Sequence, residues 1–184
     1  MEMFCRGSCQ LPLQLANSMR TDLKSAALPH ITVRNLQRTV PASVGDLERF
    51  AAKAVRACLQ LRKRESTDLT RLSEIFVWLV SDRRMASLHR QFLHQTGPTD
   101  VLTFQHGEIF ISIETARRHA RVFGNSLAHE LRLYILHGLL HLHGFDDRKR
   151  ADARKMERMQ RRILTAANAK RERRSISIAS TRLN

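Results

Sequence analysis

The segment Leu127–Leu142, LAHELRLYILHGLLHL, constrains the fold most. It has helical length and carries apolar residues around most of its circumference. A helix that is apolar nearly all round is buried, not laid on a surface. Gly124-Asn125-Ser126 precedes it, and Gly144 ends it at the position that favours a left-handed residue. The chain must therefore wrap other elements around a central helix.

Those elements are readable. Ile31, Val33 and Leu36, with polar residues between them, suggest a short strand. Leu47, Phe50, Ala51, Ala54, Val55, Cys58 and Leu61 recur at three and four and predict an amphipathic helix. Glu74–Val80 (EIFVWLV) has the length and β-branched content of a buried strand. Ser81 caps a helix through Met85, Leu88 and Phe92, ended by Gly97-Pro98. Thr99–Phe104 and Gly107–Ile113 read as strands, Thr115–Phe123 as a helix, and Lys149–Ala166 as a last helix. The expected architecture is α/β (α+β): a small mixed sheet of about four strands packed by about five helices. Residues 1–29, with Pro12 and Pro29, read as a flexible leader. Met19 is an alternative start. Residues 167–184 lack a core-forming period and read as a basic, disordered tail.

Net charge is +15, from 32 Lys+Arg against 17 Asp+Glu. Ten units of it lie after Asp147, so the domain itself is closer to neutral. The surplus points to a polyanionic partner, nucleic acid first. No run reaches the roughly 18–20 apolar residues of a membrane span, and the opening residues lack a signal-type stretch, so a cytoplasmic protein without a membrane partner is expected. Three cysteines, Cys5, Cys9 and Cys58, do not make a disulfide framework.

The chemistry gathers in His137–Asp147, HGLLHLHGFDD. His137 and His141 are four apart on the apolar helix. Four residues turn about 400°, so both rings leave one face within about 40° of each other. Helices offer two imidazoles to one metal in this way, although such pairs also occur as ordinary packing or surface histidines. Two unpaired imidazoles would be costly to bury here. Gly144 lets the chain turn back, so that Asp147 can supply a carboxylate as third ligand. Three protein ligands leave a fourth position for water, as in catalytic sites. His143 points to another face, and is read as a backup ligand or an exposed histidine.

This segment resembles the signature of the YbeY-type rRNA maturation factors, metal-dependent endoribonucleases with the pattern HGxLHLxGYDH. The match runs through His137-Gly138, Leu140-His141-Leu142 and Gly144-Phe145-Asp146. Pro98–Phe104 (PTDVLTF) is similar to that family's PTDVLSF, and Gly107-Glu108-Ile109 with Ile111-Ser112 resembles its GDIVIS strand. Block order and spacing agree over roughly residues 30–165. The resemblance implies a mixed sheet packed by helices and one divalent metal ion, usually taken as zinc. It also implies single-strand RNA hydrolysis in 16S rRNA 3′-end processing and ribosome quality control, with ribosomal RNA and the small ribosomal subunit as partners. On this reading residues 30–166 are a metal-dependent hydrolase domain, with His137 and His141 catalytic.

Two positions depart from the family pattern. Asp147 stands where the third histidine ligand falls; a carboxylate there makes the metal a weaker Lewis acid than a third imidazole would. A family arginine just ahead of the PTDVLSF block falls on Leu93, and Arg90, one helical turn earlier, is the candidate substitute. A non-catalytic, rRNA-associated protein with a degenerate site is the rival reading. Metzincin-like protease spacing also fits, but those enzymes place a glutamate base after the first histidine, where Gly138 stands here.

Weaker candidates remain. Thr99 and Asp100 are candidates for orienting the histidines or for a plain turn into the strand. Ser112 is a candidate to line the cleft or, equally, to pack within its strand. Glu108 and Glu130 are general bases by sign only, with exposed salt bridges the plainer expectation. Arg117, Arg118 and Arg121 crowd one helix as a phosphate-binding or solvated face. Aromatics are only 5% of residues, which leaves backbone charge to carry RNA affinity.

Overall fold

The computed structural model describes residues 28–61 and 66–181, with side chains to residue 167. Most of the leader, with Cys5, Cys9 and Met19, lies outside the described residues. The elements run β1 (His30–Asn35), α1 (Val44–Leu59), α2 (Asp68–Arg71), β2 (Glu74–Val80), α3 (Asp82–Leu93), β3 (Val101–Phe104), β4 (Glu108–Ser112), α4 (Ile113–Val122), α5 (Leu127–Leu142) and α6 (Arg150–Thr181). The four strands form one mixed sheet in the order β1-β2-β4-β3. β1, β2 and β4 are parallel, and β3 closes the edge antiparallel to β4, with Val101 opposite Ile111.

Strand alternation divides the sheet into two faces. Ile31, Val33, Ile75, Val77, Leu79, Ile109 and Ile111 point into the main core beneath α1 and α5. Val80 and Leu102 point to the other face, where they meet Met85, Leu88 and Leu93 of α3. Phe76, Trp78 and Phe110 stack in a row on that face, with ring centroids 5.7 and 6.3 Å apart. Asp82 ties this layer to α4: its carboxylate accepts from Ser112 and from Thr115 (2.8 Å) and pairs with Arg118.

The central-helix expectation holds. Leu131, Ile135, Leu136, Leu139 and Leu140 of α5 are all essentially fully buried, each worth roughly 1.5–3 kcal/mol by burial. α5 packs against α1, α4, α6 and the β3–β4 edge. Gly138 makes the last approach possible. A Cβ there would lie 2.9 Å from Ile109 Cδ1, Ile109 Cγ2 and Thr103 Oγ1. Its neighbours in the motif can therefore be large only because this position has no side chain.

Two boundaries differ from the expectation. The short helix α2 lies in a stretch with no sequence-level prediction; the Thr67 side chain caps it, with Thr70 reciprocating. The last helix, expected to end near Ala166, continues to Thr181. Residues 167–174 lack an apolar stripe but are nearly all Ala, Lys, Arg or Glu, whose intrinsic preference continues a helix, while the Ser- and Ile-containing stretch 175–181 has no such local reason. Cys58 is buried on α1, and burial pushes its thiol up to about 12.

Candidate metal centre

The C-terminal turn of α5 builds the site. Gly144 adopts φ +78°. The Phe145 N–H donates to Leu140 O (2.9 Å) and the Gly144 N–H to His141 O (2.8 Å), the paired bonds of a Schellman cap. The chain thus reverses within two residues. Asp146 shapes the next turn, accepting from the Asp147 N–H (2.9 Å) and pairing with Arg148 (2.7 Å). The Arg148 hydrogen bond holds the Asp146 carboxyl well below the usual carboxylate range. Asp146 is therefore spent on the turn, and the turn swings Asp147 back to the two histidines.

His137 Nε2 and His141 Nε2 lie 2.9 Å apart, and Asp147 Oδ2 lies 3.5 and 3.7 Å from them. All three donor atoms fall within 4.8 Å of one another. Ligands about 2.0–2.2 Å from a tetrahedral ion stand roughly 3.3–3.5 Å from each other, so this donor set fits one. No other group of three His, Cys, Asp or Glu donors converges in this way among the described residues.

The surroundings prepare the donors. The Phe145 carbonyl accepts from His141 Nδ1 at 3.0 Å; a carbonyl can only accept, so the proton sits on Nδ1 and leaves Nε2 with its lone pair. Gln160 of α6 places its side-chain amide 3.5 Å from His137 Nδ1. Burial, then the adjacent His141 ring, presses the His137 pKa down to about 4, against the pull of the Asp147 and Asp100 carboxylates. His137 is therefore neutral at pH 7, as a ligand must be. The His141 imidazole facing it, more than any other group, holds Asp147 below the usual carboxylate range.

A family model described as Endoribonuclease YbeY matches residues 32–168. The chain belongs to the YbeY family. Two relatives, both named Endoribonuclease YbeY, illustrate the relationship. One from Anaeromyxobacter sp. (strain Fw109-5) is 37% identical over 124 residues, covering 60% of this chain and 65% of that protein. One from Thermus thermophilus is 39% identical over 102 residues, covering 49% of this chain and 73% of that protein. The chain thus spans just under two thirds of the length of the Anaeromyxobacter relative. A solution structure of a Thermotoga maritima protein shares the fold, with a TM-score of 0.55 at 24% identity over 78% of this chain and 93% of that one.

This YbeY-family chain brings His137, His141 and Asp147 together and leaves other candidates elsewhere. Arg90 is exposed on α3, the layer across the sheet from α5, and does not line the cleft beside the cluster. Thr99 donates to Asp100, and Asp100 accepts from the Val101 N–H (2.9 Å), so both set the turn into β3. Asp100 reaches His137 by its field alone. Ser112 is fully buried and does not line the cleft; its hydroxyl caps α4 and binds Asp82. Glu108 accepts from Trp78 Nε1 (3.1 Å) on the far face of the sheet. Glu130 is buried, contrary to the exposed role expected for it. It sits in the first turn of α5, accepting from Asn125 (2.7 Å), where the helix dipole favours an anion. Arg118 is committed to Asp82, while Arg117 and Arg121 face solvent.

His143 also differs from expectation, being neither ligand nor exposed. It is 2% exposed; its Nε2 donates to Leu61 O (3.1 Å), and its Nδ1 lies 3.3 Å from Thr67 Oγ1. It fastens the end of α5 to the segment leading into α2. Sequence reasoning missed Gln160 as a neighbour of the His137 ring and the Phe145 carbonyl as the partner of His141. A polar residue on the apolar face of the last helix was the one signal for Gln160.

The protease alternative fails on packing as well as chemistry. Position 138 faces the sheet, where even a methyl group collides, so no general base fits there.

Proposed function

We propose that this chain is a single-strand-specific, metal-dependent endoribonuclease of ribosomal RNA maturation, acting at the 16S rRNA 3′ end and in ribosome quality control. The observation that carries the reading is the cluster of His137, His141 and Asp147, of which His137 and Asp147 line a cleft of about 380 Å³ between α5 and α6. Family membership supports the same chemistry. Residues 30–166 form the hydrolase domain, with a basic extension in 167–184. The partners are ribosomal RNA and the small ribosomal subunit, in the cytoplasm. Among the described residues no helix is long and apolar enough to cross a membrane.

His137, His141 and Asp147 hold the ion, with zinc the one this nitrogen-rich set suits. When bound, it supplies Lewis acidity toward a phosphate oxygen and an acidified water. The chain's own part is positional. The Phe145 carbonyl fixes the His141 tautomer, and the Gln160 side chain lies beside the His137 ring, 3.5 Å from Nδ1. The Asp147 carboxylate offsets one of the two positive charges brought by a divalent ion.

The test is cleavage of a labelled single-stranded RNA carrying the 16S 3′ end, alongside metal content. Wild type loaded with zinc cuts it, and His137→Ala neither holds the ion nor cuts. Equal cleavage by His137→Ala, or a metal-loaded wild type that cuts no RNA, overturns the reading.

A further inference from the structure

The cleft beside the cluster has one wall made by α6. Arg150, Ala153, Arg154, Glu157 and Gln160 line it, at the spacing of a single helical face. Ala153 keeps the wall low between the arginines. Glu157 is already engaged by Arg161 at 3.3 Å. Arg148, just before the wall, is paired with Asp146. Arg150 and Arg154, by contrast, have no carboxylate within ion-pair distance among the described residues. Both arginines are exposed, and they line the same cleft as His137 and Asp147.

We infer that Arg150 and Arg154 form a phosphate rail that grips the strand beside the scissile bond. The two arginines stand about 6 Å apart along the helix axis, at 1.5 Å per residue. That is comparable to the separation of consecutive phosphates on one strand. Arginine suits the task because its planar fork meets two phosphate oxygens at once. The cleft lining includes no aromatic side chain besides His137, so bases have no stacking platform there. The rail therefore holds the backbone and is indifferent to sequence. This deepens the ribonuclease reading and rests on it for the identity of the strand as RNA.

The experiment compares two charge-matched double variants: Arg150→Gln/Arg154→Gln on the cleft wall, and Arg158→Gln/Arg162→Gln, both exposed outside it. Binding of a fluorescein-labelled oligouridylate is followed by anisotropy in EDTA, between about 50 and 200 mM salt. Zinc content and zinc-dependent cleavage are measured separately. The wall variant loses roughly tenfold in affinity per arginine. Its log–log salt slope falls by about 1.4, two single-strand phosphate contacts' worth. Its zinc content is unchanged, and the outer pair changes affinity far less. Equal losses from both pairs, or none from the wall pair, overturn the rail. A wild type that holds zinc and cuts no RNA sinks the ribonuclease reading instead, and the binding comparison still decides the rail.

Discussion

Gly138→Ala is the sharpest probe of how the metal helix is seated. The added methyl group would lie 2.9 Å from three atoms, two of them on Ile109 and one on Thr103. Carbon atoms pack best at about 3.5–4.0 Å, so α5 must retreat from the sheet by roughly half an ångström or more. Ile109 has nowhere to go, being 0% exposed beneath the helix. Overpacking of this kind costs about 1–3 kcal/mol, and three simultaneous contacts place the cost high in that range. Helix propensity runs the other way by nearly 1 kcal/mol. The net expectation is a loss of about 1–2 kcal/mol in urea unfolding of the metal-free protein, with the slope unchanged. Ile109→Ala alone costs about 2–5 kcal/mol through the cavity it leaves. Combined with Gly138→Ala it costs less than the two together, because the new methyl enters that space. A Gly138→Ala protein as stable as wild type, or strictly additive costs, would refute the close approach of helix and sheet.

Three further outcomes follow from the same geometry. The unfolded His137 titrates near 6.5 and the folded one near 4, so on acidification through that window the unfolded chain takes up a proton that the fold refuses. Metal-free stability therefore falls between pH 6.5 and 4, by up to about 3 kcal/mol from this group. His137→Ala removes that component, and Asp147, lowered below its ordinary 3.8, acts only at still lower pH. His143→Ala costs about 2–4 kcal/mol by calorimetry or urea, through lost packing and the lost Leu61 and Thr67 contacts, and leaves zinc content intact. Loss of zinc in that variant would restore His143 as a ligand. Asp147→Asn weakens zinc binding by more than the 10–100-fold typical of losing a supporting partner, measured by competition with a chelating dye; unchanged affinity would remove Asp147 from the site.

Much of this was legible in the chain. The apolar circumference of Leu127–Leu142 announces a buried central helix, and the i, i+4 spacing of the histidines puts both rings on one side. Gly144 marks where the chain turns back. The strands were readable from local signals, β1 from its alternation and β2 from its length and β-branched content. What escaped detection depends on distant packing. Gln160 meets His137 only because α6 folds back along α5, a pairing separated by 23 residues. The burial of His143 depends on Leu61, 82 residues earlier. The role of Gly138 needs the β3–β4 edge, which no local pattern encodes. Local sequence left Ser112 open between the cleft and strand packing, because a serine at a strand end reads alike whether it caps the next helix or lines a pocket.

The zinc K-edge absorption spectrum of the loaded wild-type protein tests the central claim most directly. Two imidazoles and a carboxylate predict a first shell of nitrogen and oxygen only, at about 2.0–2.2 Å, with imidazole scattering from two rings. The same spectrum on His137→Ala shows no specifically bound ion. A sulfur shell near 2.3 Å, or an unchanged spectrum in His137→Ala, would contradict the account.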